Sequence, residues 1–280
     1  PPPPRPPPAA PPATAHPRPL PPRAAPPPPA PRRVTTPPRR PPAKPGRVRR
    51  ALAPTLLSPP PTCRSARRAR DSGMARARST LFDRWSEVYD RRGFQAATYR
   101  PVHDAVLARL GGTQPRLVVD LGCGTGQLTQ RLARRFPDAD VVGVDYSSGM
   151  LDEAAIRVAH TAELVRADAT ELPFRSGSAD IVVCTESFHW YPDQRRTLAL
   201  LAQVLRPGGQ LVIASIAAVT GLGESAVAAV STAGGQPVRA LTPRHLRDQL
   251  SDVGFEVQHQ RRVPRVGLIP WPVLTDARRR

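Results

Sequence analysis

The stretch Leu117–Gly126, LVVDLGCGTG, constrains this chain more than any other. Leu117, Val118 and Val119 form a β-rich apolar run suited to a strand buried on both faces. Gly122, Gly124 and Gly126 follow at alternate positions. Residues Gln127–Phe136 then set Leu128, Leu132 and Phe136 on one helical face. Strand, glycine turn and helix open a nucleotide-binding βαβ unit, where a tight turn lets a ligand approach bare backbone. A glycine turn without a ligand is the plainer alternative. The dinucleotide fingerprint G-x-G-x-x-G is not met, because the third glycine comes one residue early and Gln127 takes its place. Asp120, two residues ahead of the first glycine, repels a pyrophosphate and suits a cationic ligand.

The chain beyond repeats the theme of a strand ending in an acid. Asp140–Val144 reads as a second strand ending in Asp145, with room after Gly126 for one helix, a turn and that strand. A carboxylate at such a tip can accept hydrogen bonds from both hydroxyls of a ribose. Tyr146 and Met150 supply apolar groups for an adenine face, and Ser147 is a plausible N-cap for a helix over Gly149–Val158. A third strand, Ala162–Ala167, leads to Asp168–Ala169, and a fourth, Ala179–Thr185, leads to Glu186–Asp193, ESFHWYPD. Pro192 and Asp193 open a helix to Val204, and the turn Arg206–Gly209 and a fifth strand over Gln210–Ser215 come next. Ala217–Arg239 lacks strong periodicity and reads as a mobile substrate cover. Thr242–Pro243 caps a helix to Val253, closed by Gly254. Glu256–Val263 and Pro272–Arg278 form a closing hairpin, with Pro264, Pro270 and Pro272 predicting a short or frayed last strand.

The pattern D-x-G-x-G-x-G at Asp120–Gly126, with Asp145, Asp168, the strand before ESFHWYPD and the R-P-G-G turn in order, resembles the class I S-adenosylmethionine-dependent methyltransferases. The likeness covers roughly Leu81–Arg278 and points to their small-molecule, methyltransferase type 11-like branch. FDRWSEVYD resembles the start of such enzymes, and F-H-W is similar to an element of those related to trans-aconitate methyltransferase and the menaquinone-pathway enzymes. The resemblance implies an α/β fold with a doubly wound, mainly parallel seven-stranded sheet. It implies S-adenosyl-L-methionine as cofactor and methyl transfer to oxygen, nitrogen or carbon of a small-molecule acceptor. Asp120, Gly122, Cys123, Gly124 and Gly126 would then hold the methionine part and Asp145 the ribose. Tyr146, Met150, Asp168 and Ala169 would meet the adenine, with Thr185 at the edge of the cofactor site. An Asx turn is the alternative for Asp168. Trp85, Tyr89, Phe188, Trp190 and Tyr191 would line the substrate pocket, with plain core contacts the alternative for the first two. His189 is either the general base or a wall of the pocket. The [N/D]-P-P-[Y/F] of many nucleic-acid and protein methylases is missing, Cys184 lacks the context of a cytosine-attacking nucleophile, and no metal is expected.

Composition divides the chain. Residues 1–73 hold 27 of the 38 prolines and 15 of the 41 basic residues, with Asp71 as the one acid. Their net charge is 15 − 1 = +14, leaving 26 − 21 = +5 for residues 74–280. This Pro/Arg/Ala-rich tail is expected to be disordered, since it has too little apolar surface to pack. It reads as a basic arm, as a proline-rich ligand, or as a segment outside the working protein, with Met74 the expected start. Residues 74–280 read as the methyltransferase domain, with lid helices over 74–112 and a Rossmann-like core over 113–280. Cys63, Cys123 and Cys184 form no C-x-x-C pair, which fits a reducing cytoplasm. No apolar run reaches the roughly 18–20 residues of a membrane helix. Pro54 breaks the short run after Arg49–Arg50, against an export signal. Arg84, Arg91, Arg92 and Arg100 favour an acidic acceptor or simply form a solvated helix face. The rival functions are an RNA methyltransferase or RNA-binding protein using the tail, and a silent cofactor-binding protein. Nucleic acid is not the expected partner, and the sequence does not set the oligomeric state.

Overall fold

The computed structural model describes residues 98–112, 114–233, 238–264 and 271–280. The expectations for Trp85, Tyr89, Arg84, Arg91, Arg92, Cys63 and the tail lie outside these residues. Helix α1 (Arg100–Arg109) precedes β1 (Leu117–Leu121), α2 (Gln127–Arg135), β2 (Asp140–Asp145), α3 (Ser148–Val158) and β3 (Glu163–Arg166). Then come β4 (Ala179–Thr185), a 3₁₀ turn at Phe188–Trp190, α4 (Gln194–Val204) and β5 (Leu205–Ser215). The chain continues through α5 (Gly221–Ala233), α6 (Pro243–Asp252), β6 (Phe255–Arg262) and β7 (Val273–Arg279).

The strands form one seven-stranded sheet in the order β3-β2-β1-β4-β5-β7-β6. Pairings from β3 to β5 are parallel, and β7 lies antiparallel between β5 and β6. The order reverses between β1 and β4, and this switch point is where an open α/β sheet offers a crevice at its carboxyl edge. Alternation along the strands divides the core. Leu117, Val119, Val182 and Ile213 pack on one face with Leu198 and Leu201 of α4 and Leu246 and Leu250 of α6. Val118, Val183 and Val212 pack on the other with Val102 and Val106 of α1 and Leu128 and Leu132 of α2. Burial on both faces is why these strands read as unbroken apolar runs.

Four details differ from the sequence-based expectation. Strand β3 is shorter at both ends, an edge strand with no fully buried residue. Strand β5 starts at Leu205, because Ala179 pairs with Leu205 before the register shifts to Ile181 opposite Gln210; the R-P-G-G turn is a bulge within the strand. Within the expected cover Ala217–Arg239, residues Gly221–Ala233 form a regular helix. The last strand is neither short nor frayed: β7 runs seven residues, the first five buried. The N-caps expected at Ser147 and Thr242 are present, their side chains accepting from the N–H groups of Met150 and His245, and Asp193 caps α4 by accepting from Arg196 N.

Candidate active site

At the carboxyl edge of β1 the chain turns through three glycines with positive φ, and each does something different. At Gly122 (φ +71°) an added Cβ would lie 2.3 Å from Ser187 Oγ and 2.4 Å from Ser187 Cβ. Its bare backbone admits the loop after β4. At Gly126 (φ +76°) a Cβ would press on Ala154 and Val158 of α3, so this glycine lets α3 pack against the start of α2. Only at Gly124 (φ +53°) would the Cβ meet nothing within 4 Å. Of the three, Gly124 has the open side from which a ligand can reach the main chain.

Around this turn the expected carboxylates converge. Asp120 is fully buried, and its Oδ2 accepts from Thr129 Oγ1 at 2.6 Å. Its Oδ1 has no hydrogen-bond partner among the described residues. Burial pushes the Asp120 carboxyl up to about 7 and the Asp145 charge adds to this, while the Thr129 hydrogen bond pulls the other way. Asp145, at the tip of β2, accepts from Gly124 N at Oδ2 (2.8 Å) and from Ser147 N at Oδ1 (2.9 Å). The second acid therefore ties the glycine turn to its own strand.

Cys123 lies between these acids, and burial, then the Asp145 and Asp120 charges, push its thiol well above the ordinary range. Met150 is buried and Tyr146 half-buried at the start of α3. Asp168 Oδ1 accepts from both the N–H (2.8 Å) and the Oγ1 (2.7 Å) of Thr170, an Asx turn just beyond β3 with Ala169 inside it.

The segment after β4 folds onto the glycine turn. Thr185 ends the strand in a buried position, and Glu186 takes a positive φ of 55° with its N–H on Ala214 O (2.7 Å). Ser187 Oγ donates to Leu121 O (3.1 Å) and lies 3.1 Å from both Cys184 Sγ and Tyr191 OH. Cys184 is a buried thiol, which burial pushes up to about 11, so the uncharged form is favoured at neutral pH. Phe188 stands edge-on to Tyr191, at 5.7 Å between centroids. His189 is buried against the tip of β5, its Nδ1 3.1 Å from Ser215 Oγ, and Trp190 leans on its ring at 5.1 Å. Gln194 Nε2 donates to Phe188 O and to Arg239 O, both at 2.9 Å. Sequence reasoning missed Thr129, Ser187, Gln194, Ser215 and Arg239. No local signal marks them, because each has a partner 6 to 66 residues away.

A family model described as a methyltransferase domain matches residues 119–213. A trans-aconitate 2-methyltransferase of Deinococcus radiodurans is 45% identical over 96 residues, covering 34% of this chain and 36% of that protein. A trans-aconitate 2-methyltransferase of Methylobacterium radiotolerans is 33% identical over 203 residues, covering 66% of this chain and 77% of that protein. The chain belongs to the class I S-adenosylmethionine-dependent methyltransferases. Its fold is also that of a Haloferax volcanii methyltransferase solved with the Trm112 methyltransferase activator, at 22% identity and a TM-score of 0.60, over 71% of this chain and 97% of that one. For this methyltransferase the cofactor is S-adenosyl-L-methionine, and Asp120 fits it. A buried carboxylate oxygen without a donor calls for a cation, and the methionyl end of the cofactor carries an ammonium.

Proposed function

We propose that the chain methylates an oxygen of a small carboxylic acid. The observation that carries the donor half is the unpartnered Oδ1 of buried Asp120 at the head of a turn whose open glycine is Gly124. In this reading Asp120 and the main chain at Gly122–Gly126 hold the methionine part. Asp145 accepts from the ribose hydroxyls, Asp168 and Ala169 face the adenine amino edge, and Tyr146 and Met150 flank the ring. Two relatives named for trans-aconitate, an acid, support the acceptor half.

When bound, the cofactor supplies a methyl group on a sulfonium: a carboxylate lone pair forms the O–C bond as the S–C bond breaks, leaving a neutral thioether and no proton to move. The residues of this chain then need only align the two groups and exclude water. An acid acceptor is ionised at pH 7, so no general base is required. His189, held by Ser215, accordingly walls the pocket and positions Phe188 and Trp190 beside it. The test is incubation of the full chain with methyl-labelled cofactor and small acids, trans-aconitate among them. Label released by mild alkali, as from a methyl ester, is the expected result. Label only in alkali-stable products, or none, overturns it.

A further inference from the structure

The chain between α5 and α6 returns to the site at Arg239. Its N–H donates to His189 O (2.8 Å), and its carbonyl accepts from the buried Gln194 amide, which also grips Phe188 O. The Arg239 backbone is thus clamped to the Phe188–Trp190 turn. Its side chain is exposed, and its guanidinium has no hydrogen bond or ion pair among the described residues. It stands on the wall of a small cavity at the tip of β5, with Ser215, Phe188, Leu241, Leu246 and Val273. Among the described residues of that wall Arg239 is the one that carries a charge, and Ser215 brings the hydroxyl that touches His189. The hollow is about the size of one water, so it is the exposed cation at its rim, beside the Ser215 hydroxyl, that suits the anionic end of a ligand. Strand β5 is two places from β1, so this cavity lies about 10 Å across the sheet edge from the Asp120 tip.

Resting on the reading that the acceptor is a small acid, we propose that Arg239 anchors a second carboxylate of that acceptor, distinct from the one methylated. The acceptor class is then small di- and tricarboxylic acids. The carboxylates must differ, because an oxygen locked in a guanidinium fork has its lone pairs engaged and is a poor nucleophile. Arginine suits the role because its fork fixes a planar anion, whereas a lysine ammonium offers only a point charge.

The experiment compares the full-length wild type with Arg239→Gln and Arg239→Lys on mono- and dicarboxylic acids of equal carbon number, butanoate against succinate, and on trans-aconitate. Calorimetry with S-adenosylhomocysteine and a thermal melt accompany each variant. The wild type should prefer the diacid by tenfold or more in kcat/KM. Arg239→Gln should raise KM for diacid and triacid by tenfold or more, with kcat and S-adenosylhomocysteine affinity nearly unchanged, and the preference should collapse. Arg239→Lys should fall between. A diacid preference that survives Arg239→Gln, or no preference in the wild type, overturns the anchor alone. A wild type that binds S-adenosylhomocysteine yet methylates no acid overturns the acid reading and the anchor with it.

Discussion

Single atoms decide how the donor end behaves. Asp120 has a folded-state value near 7, above the ordinary 3.8, because burial disfavours its charge. Between those values the native chain holds a proton that the unfolded chain has released, so stability falls as pH rises through this window. A ligand cation favours the ionised form, so S-adenosylhomocysteine should bind more tightly as pH rises to about 7 and level off above. Asp120→Asn should flatten both slopes and weaken binding at pH 8 by tenfold or more, as read by melts and calorimetry from pH 5 to 8. The glycines give a second contrast. Gly122→Ala forces a Cβ into Ser187 and should cost about 1–3 kcal/mol, with a Tm lower by several degrees. Gly124→Ala meets no neighbour and should cost about 1 kcal/mol for its positive φ, yet it should lose S-adenosylhomocysteine affinity by tenfold or more. Equal losses of affinity in both variants would remove Gly124 from the ligand's path.

Elements are held in register by acids at the opposite edge of the sheet. Asp180, at the start of β4, accepts from Arg116 N (2.8 Å) and Leu117 N (3.0 Å) at β1 and from Arg206 Nε (2.6 Å) in the β5 bulge. Burial alone would push this carboxyl up, but the Leu117 N–H, the Arg206 guanidinium and the Arg116 N–H hold it below the usual range. Its contribution is present above the unfolded value near 3.8 and is lost as pH falls through the lowered native one. Asp180→Ala leaves two N–H groups and a cation without their acceptor and should cost about 3 kcal/mol in denaturant melts, more at pH 7 than at pH 3. Helices α5 and α6 are joined by Glu224, which accepts from Thr242 N and faces His245 Nδ1 at 3.0 Å. Helix α5 escaped the sequence because Leu222 and Val230 are exposed. Without a buried stripe its Ala, Ser and Gly residues carry no 3.6-residue rhythm. Strand β3 was read too long for a related reason, since an edge strand has fewer buried positions to mark its ends.

Across the molecule, the acids at the strand tips were legible and the surroundings of the turn after β4 were not. Asp120 and Asp145 each follow an apolar run directly, so strand and acid announce one another, whereas Asp168 comes after the short Leu164–Val165 pair and Arg166; the parallel sheet gathers the tips at one edge. Ser215 and Arg239 become neighbours only when β4 pairs with β5 and the chain returns past α5, which no local window contains. The basic tail is proposed to be separate from this chemistry. Removing residues 1–73, and with them +14 of the +19 formal charge, should leave S-adenosylhomocysteine affinity and acid methylation within about twofold. RNA-oligonucleotide affinity that falls steeply with salt, and is lost on the deletion, would give the tail a role of its own. Finally, Ser187 rests on Gly122 and bonds Leu121 O, so the loops proposed to serve donor and acceptor share a single party wall. A designer grafting Glu186–Asp193 from a cousin with a different appetite would be altering the dock for the methyl source as well. New specificities should therefore be sought first beyond β5, around Arg239, where the scaffold can change without shifting that partition.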